Sequence, residues 1–126
     1  MTRAGLSTTQ KGARGEEAAV SYLESKGWIV LARNFRTRVG EIDIIARHGD
    51  IVAFVEVKSW HSVPREDLAR SVGPRKRARI ARAARLYLSR RPELADAHLR
   101  FDLVFLGGEE NGIVHIAGAF NEEGID

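Results

Sequence analysis

A predicted β-hairpin in the first half of the chain carries charged side chains on strands that are otherwise apolar, and this feature most limits the possible folds. Alternating side chains predict strands at 41–47 and 51–58. Asp43, Glu56 and Lys58 lie on these strands. Burying carboxylates is unfavourable unless they are paired or hold a cation. The hairpin therefore predicts a divalent-metal site suited to phosphodiester hydrolysis.

The length of the hairpin turn decides whether the two acids share a face. A two- or four-residue turn centred on His48 and Gly49 sets Asp43 opposite Phe54. Asp43 then lies one diagonal from Glu56, on the same face of the sheet. A three-residue turn would send Asp43 to the opposite face and break the site.

Oxygen atoms on this face match the ligands that Mg²⁺ or Mn²⁺ takes. Mg²⁺ usually binds one or two carboxylates together with water and substrate phosphate. The predicted ligands are the carboxylates of Asp43 and Glu56 and the carbonyl of Val57. Lys58 shares the face of Glu56 and would orient the attacking water or stabilise charge on the phosphate. The alternative is a hairpin in which Lys58 only neutralises a neighbouring acid.

A third acid is expected from the first helix, predicted from residue 8 or 9 to residue 26. Ala19, Val20 and Leu23 form its apolar stripe, and Glu16 precedes them at helical spacing. Glu16 is therefore predicted to face inward and to complete the acidic cluster, directly or through a metal-bound water.

The remaining pattern predicts one α/β domain over residues 1–126, with loose termini at 1–7 and 121–126. The order is α-β-β-β-α-β-β, with a mixed, mostly antiparallel central sheet flanked by helices. Further strands are expected at 28–35, 100–106 and 113–120, a second helix at 74–90, and a polar connection at 60–73.

Positive charge is concentrated around the second predicted helix. The formal net charge is +3, and nine bases but no acid fall between Leu68 and Pro92. This distribution favours a polyanion partner over the alternative of a solvated helix face. Some of these bases, together with two beside the hairpin, are predicted to contact a nucleic-acid backbone. They are Arg75, Arg79 and Arg82 on the helix and Arg36 and Arg38 beside the hairpin.

Two further residues each have two possible roles. Lys76 extends the inward stripe of the second helix and could reach the scissile phosphate, or its ammonium could extend to solvent. Trp60 could stack on a base, or it could be an aromatic plug at the sheet edge. Asp102 is expected to be a structural partner for an arginine, and all four histidines are expected at the surface or in turns.

Composition excludes several other classes. The chain has no cysteine, so disulfides, thiolate catalysis and cysteine-bound zinc are ruled out. No apolar run approaches the roughly 18 residues of a membrane span, and the N-terminus lacks a secretory core. A cytoplasmic protein without membrane contact is expected.

The acids and lysine resemble the PD-(D/E)xK nuclease superfamily, here as Asp43 followed by Glu56-Val57-Lys58. Over residues 12–105 the chain also resembles the YraN-type family of small bacterial proteins. That resemblance implies a restriction-endonuclease-like fold, related to archaeal Holliday-junction resolvases, with active-site positions at Glu16, Asp43, Glu56 and Lys58. One departure is Ser59-Trp60, where the family usually has a basic residue two after the lysine. The motifs that carry the resemblance are Gly12-x-x-Gly15-Glu16, Arg33-Asn34-Phe35-Arg36, Gly40-Glu41-Ile42-Asp43, Phe54-Val55-Glu56-Val57-Lys58, Lys76 and Arg100-Phe101-Asp102.

The resulting hypothesis is an Mg²⁺-dependent endonuclease that hydrolyses DNA, including structured or branched DNA. Because cutting two strands needs two active sites, a homodimer is a possible assembly. The alternative is a non-catalytic module that keeps the fold and binds DNA, RNA or a ribonucleoprotein. A third hypothesis is a partner protein whose basic helix docks on an acidic surface.

Overall fold

A computed structural model describes residues 8–60, 64–107 and 112–121, with side chains from residue 15 onward. The observed order confirms the predicted α-β-β-β-α-β-β arrangement, with short 3₁₀ helices before and after the second α-helix. Of the predicted loose segments at 1–7 and 121–126, all residues except Asn121 lie outside the described residues. The main elements are α1 (Thr8–Ser25), β1 (Ile29–Arg36), β2 (Glu41–His48), β3 (Ile51–Ser59), α2 (Pro74–Ser89), β4 (His98–Leu106) and β5 (Ile113–Phe120).

The five strands form one sheet in the order β1-β2-β3-β4-β5. β3 and β4 are parallel, and every other neighbouring pair is antiparallel, as the predicted mixed sheet requires. A parallel pair needs a crossover connection, and α2 lies in the crossover between β3 and β4. The chain is therefore a single mixed α/β domain.

The two helices cover opposite faces of the sheet. Side chains of α2 pack with Ile45 of β2 and Phe54 of β3, whereas those of α1 pack with Ile44 and Val55. β3 is consequently buried on both sides, which explains its nearly continuous apolar sequence. Charged residues on β3 are therefore exceptions that need a partner.

A glycine ends α1. Gly27 has a φ of 94° and its N–H donates to the carbonyl of Glu24, while the N–H of Trp28 donates to the carbonyl of Leu23 at 3.0 Å. These two bonds form a Schellman motif, in which glycine tolerates the left-handed conformation. Among the described residues, no helix is long and apolar enough to cross a membrane.

The predicted polar connection at 60–73 contributes to the core, which corrects that expectation in part. A 3₁₀ helix at Arg65–Ser71 buries Leu68, and Val72 after it is also buried. The guanidinium of Arg77 fastens this segment, since its Nε donates to the carbonyl of Val72 at 2.7 Å. Arg77 therefore has a structural role and is not one of the bases free to face a phosphate.

Candidate functional site

The hairpin that carries the acids turns one residue later than predicted. His48 pairs with Ile51, so the turn consists of Gly49 and Asp50. It has two residues, which is one of the lengths that keeps both acids on one face. Gly49 fits either turn centre, and the later centre is the observed one.

The later turn brings the acids closer together than predicted. Ile44 pairs with Val55, and continuing this register by one residue sets Asp43 opposite Glu56. The predicted pairing of Asp43 with Phe54 is therefore wrong, whereas the shared face is confirmed. The two acids are close enough that, besides burial, the charge of Glu56 raises the pKa of Asp43.

Asp43 is held by the strand that carries the second acid. The N–H of Val57 donates to Oδ2 of Asp43 at 2.8 Å. Burial, the charge of Glu56 and a hydrogen bond to Glu56 raise the pKa of Asp43 to about 6, although the Val57 N–H acts to lower it. In an extended strand the N–H and C=O of one residue point the same way, so the carbonyl of Val57 also faces the side of Asp43.

Glu56 has a lysine partner from the opposite element. Nζ of Lys76, in the first turn of α2, lies 2.8 Å from Oε2 of Glu56. The Glu56 side chain is only 8% exposed, whereas that of Lys76 is 48% exposed. Partial burial acts to lower the pKa of Lys76, but the carboxylates of Glu56 and Asp43 raise it overall. The Lys76 ammonium therefore turns toward the sheet and pairs with Glu56, and its contact with a phosphate stays a prediction.

Glu16 contacts a residue on β1. Its Oε1 accepts a hydrogen bond from Nδ2 of Asn34 at 2.9 Å, and Asn34 has a φ of 52°. Asparagine is one of the few residues that tolerate this left-handed conformation. Across the described parts of the chain, no three acids or histidines converge as potential metal ligands. In this arrangement Glu16 is therefore not a third member of the Asp43 and Glu56 pair.

Lys58 shares the face of the acid pair. It follows Glu56 by two residues on β3, and it is partly buried. Within the described segments it has no ion-pair partner, whereas Lys76 is paired to Glu56. The site therefore holds two acids and two lysines in different environments. Lys58 retains a charge available to a ligand.

A cleft of about 260 Å³ opens beside Lys76, between α2 and the loop that joins β1 to β2. Its basic members are Arg38, Lys76 and Arg79, with Glu41 as the acid. A second depression lies against the same loop and is lined by Arg36, Thr37, Arg38, Val39, Leu86 and Arg90. The lining of the first cleft is Thr37, Arg38, Val39, Gly40, Glu41, Lys76, Arg79 and Ile80.

A tight turn positions this loop at the bend predicted through residues 36–38, but sequence reasoning missed its contact with α2. The hydroxyl of Thr37 donates to the carbonyl of Gly40 at 2.7 Å and accepts the N–H groups of Val39 and Gly40 at 3.1 Å. A Cβ at Gly40 would lie only 2.4 Å from the carbonyl oxygen of Arg79. The loop thus rests directly on the α2 backbone, and the Thr-x-x-Gly pattern was the signal available.

The predicted nucleic-acid contacts divide into those on the cleft and those around it. Arg38 and Arg79 line the cleft, and Arg36 makes an exposed ion pair with Glu41 at 3.6 Å. Arg75 and Arg82 are exposed on α2. All five guanidinium groups lie at the surface of the described chain, as backbone contacts to a polyanion require.

Other residues of the basic segment are engaged in the fold. Nε of Arg91 lies 2.7 Å from Oε2 of Glu93, and its guanidinium lies over the ring of Tyr87.

Trp60 packs against the cluster around Leu68. That packing matches the interpretation of Trp60 as a plug at the sheet edge, and stacking on a base stays a prediction.

Asp102 is the centre of a separate network on the α1 side. Both of its oxygens accept hydrogen bonds from Arg100 at 3.0 Å, which confirms the expected arginine partner. Nε2 of His115 lies 2.7 Å from Oδ2 of Asp102, and the His115 side chain is 13% exposed. Its placement as a surface or turn histidine is therefore wrong. His48 and His98 are exposed as predicted, and His61 lies outside the described residues.

Comparison with known proteins identifies the family. The model of the uncharacterised protein family UPF0102 matches residues 15–106. The chain belongs to the UPF0102 family. This finding confirms the resemblance to the YraN-type proteins. The matched segment of this UPF0102 protein includes the acid pair, both lysines and the cleft.

Similar UPF0102 proteins occur in several bacteria. One from Rhodopseudomonas palustris is 42% identical over 94% of this chain and 88% of its own length. One from Azorhizobium caulinodans is 41% identical over 90% and 85%, respectively. One from Halorhodospira halophila is 45% identical over 90% and 89%. These relatives share nearly the whole domain.

Proposed function

We propose that this UPF0102 protein is an Mg²⁺-dependent endonuclease that hydrolyses DNA, with a preference for structured or branched substrates. The observation that carries the proposal is the closeness of the Asp43 and Glu56 carboxyl groups, just beyond the last paired residues of β2 and β3, Ile44 and Val55. The raised pKa of Asp43 reflects burial and a neighbouring like charge. Paired acids of this kind are typical of functional sites.

The donor set fits a divalent cation. Two carboxylates lie side by side, and the carbonyl of Val57 faces the same edge. Mg²⁺ needs only one or two protein carboxylates when water and substrate phosphate supply the rest. Asp43, Glu56 and Val57 would hold Mg²⁺ or Mn²⁺. The bound ion would polarise the scissile phosphate and lower the pKa of the attacking water.

The lysines supply the remaining positive charge at the site. Lys58, which has no ion-pair partner among the described residues, would donate hydrogen bonds to the attacking water or to a phosphate oxygen. Val57 orients Asp43 through its backbone N–H. A fixed carboxylate and an ammonium without an ion-pair partner among the described residues suit phosphodiester hydrolysis, because charge develops on the phosphate oxygens.

The basic cleft would position the substrate. Arg38 and Arg79 line it next to Lys76, so a phosphate backbone lying in the cleft would pass the acid pair. Contacts to phosphates carry no sequence information, which favours recognition by shape. Glu16, paired with Asn34, would keep the first helix against β1. The proposal places the protein in the cytoplasm, and cleavage of both strands would use a homodimer.

Cleavage of a DNA panel tests the proposal. Single-stranded, duplex, flapped and four-way DNA are incubated with Mg²⁺ or Mn²⁺, using wild type, Glu56→Gln and the exposed control Glu24→Gln. Wild type and the control should cut at least one substrate, and Glu56→Gln should be slower by about a hundredfold or more. Cleavage that survives Glu56→Gln, or no cleavage of any substrate, would reject the proposed function.

A non-catalytic nucleic-acid-binding module is the second candidate. Two observations favour it, namely the Lys76 ammonium at Glu56 and the Asn34 partner of Glu16. An acid already neutralised by lysine needs no metal to be stable. Salt-dependent binding of DNA or RNA without Mn²⁺ uptake would support this candidate over the nuclease.

A further inference from the structure

We propose that Lys76 is an internal counter-ion of the acid pair that a divalent cation must displace, after which its ammonium binds the substrate phosphate. This inference rests on the proposed function, and it assigns Lys76 two successive partners. The starting observation is the 2.8 Å distance between Nζ of Lys76 and Oε2 of Glu56. The family comparison says nothing about this residue beyond its inclusion in the matched segment.

The ammonium and a metal ion compete for the same carboxylate oxygens. Glu56 is almost fully buried, so its carboxylate has few orientations in which it could bind two cations at once. If Asp43 and Glu56 held a divalent cation, its charge would also repel the Lys76 ammonium. Occupancy by one cation therefore weakens binding of the other.

Lys76 has somewhere to go when it is displaced. Its side chain is half-exposed and lies in the first turn of α2, where it lines the cleft beside Arg79. The flexible stem of lysine allows the ammonium to move several ångströms without moving the helix. The released charge would face the space in which the substrate backbone is proposed to lie.

Lys58 is not a counter-ion of the acid pair in the same way. It lies on the strand of Glu56, but no ion pair of Lys58 occurs among the described residues. The two lysines therefore differ in the cation-free protein, since one is paired with the acids and the other is not. Removing Lys76, and not Lys58, should raise the affinity of the acids for metal.

Calorimetric titration of the full chain with Mn²⁺ tests the inference. Lys76→Met removes the ammonium but keeps an apolar stem, Lys76→Arg restores a positive charge, and the exposed Lys26→Met is the matched control. Lys76→Met should bind Mn²⁺ about ten to a hundred times more tightly than wild type, because a charge-assisted hydrogen bond no longer competes. Lys76→Arg and Lys26→Met should stay near the wild-type affinity.

A second readout separates displacement from simple loss of the fold. Circular dichroism should show folded protein for each variant, and Lys76→Met should cleave or bind DNA more weakly despite its tighter metal binding. Unchanged or weaker Mn²⁺ affinity in folded Lys76→Met, with wild type still binding metal and cutting DNA, would overturn this inference alone. If neither folded protein takes up Mn²⁺, the proposed function fails and the inference fails with it.

Discussion

The backbone N–H of Val57 donates a hydrogen bond to Oδ2 of Asp43 at 2.8 Å, so the first acid of the site is held by the strand that carries the second. The Asp43 carboxylate is therefore fixed beside the strand that carries Glu56. The pair is built into the hairpin, and its electrostatic cost should be measurable as a dependence of stability on pH.

Asp43 should make the metal-free protein less stable as pH rises. Burial and Glu56 raise its pKa from 3.8 to about 6 in the folded state. A raised acid pKa stabilises the fold fully below the unfolded value, and that contribution is lost as pH rises through 6. Relative to Asp43→Asn, the wild-type free energy of unfolding should fall by about 2 kcal/mol between pH 4 and 7.

Urea denaturation in the presence of a chelator measures this difference at each pH. The comparison with Asp43→Asn cancels the titration of groups that do not interact with Asp43, and the exposed Asp96→Asn is a suitable control. If the difference in the free energy of unfolding between wild type and Asp43→Asn does not change with pH, the charge of Asp43 does not destabilise the fold.

Gly40→Ala should destabilise the loop that forms one wall of the cleft. The added Cβ would lie 2.4 Å from the carbonyl oxygen of Arg79, and a backbone atom cannot move aside as a side chain can. The expected loss in the free energy of unfolding is about 1–3 kcal/mol. Gly73→Ala, where a Cβ would meet nothing within 4 Å, should change it far less. Equal effects of the two substitutions in urea denaturation would contradict this packing.

Much of the site follows from periodicity, and the rest depends on long-range packing. Strand alternation placed Asp43 and Glu56 on one face because any even turn gives the same parity. The exact register did not follow, since the sequence around Gly49 allows two turn centres. Helical spacing gave Glu16 an inward face, but it does not reveal which neighbouring residue it meets, and that residue is Asn34.

The pairing of His115 with Asp102 shows the same limit. The two residues lie on neighbouring strands, and only the β4–β5 register brings them together. Alternation indicated that Asp102 turned away from its apolar neighbours, so a partner was expected. Alternation did not indicate that a histidine on the neighbouring strand would also bind Asp102. Long-range partners of buried charges therefore need the folded structure.

Asp102→Ala should be one of the more damaging single substitutions. Its side chain is fully buried and accepts hydrogen bonds from Arg100, His115 and the N–H of Gly118. Removing the carboxylate leaves a partly buried guanidinium without its partner, so the free energy of unfolding should fall by about 3–5 kcal/mol. The exposed Asp96→Ala should be nearly neutral in the same thermal or urea denaturation. A small loss for Asp102→Ala would mean that water replaces the network.

Arg38→Ala and Arg79→Ala should weaken nucleic-acid binding through lost phosphate contacts. Each arginine lines the cleft beside Lys76. Each substitution should reduce the salt dependence of duplex binding by about one unit in the slope of log affinity against log salt. Arg70→Ala, at an 84% exposed side chain near Asp67, is the control. Fluorescence anisotropy across a salt series measures the slopes, and identical slopes for all variants would place the nucleic acid elsewhere.

Soaking a crystal of the wild-type protein in Mn²⁺ shows whether Asp43 and Glu56 hold a divalent cation, because anomalous scattering locates the ion without reference to activity. We expect an anomalous peak about 2.1 Å from carboxylate oxygens of both Asp43 and Glu56. Nζ of Lys76 should have moved away from Oε2 of Glu56. An anomalous map without a peak between these carboxylates, and with the 2.8 Å contact between Lys76 and Glu56 intact, would contradict it.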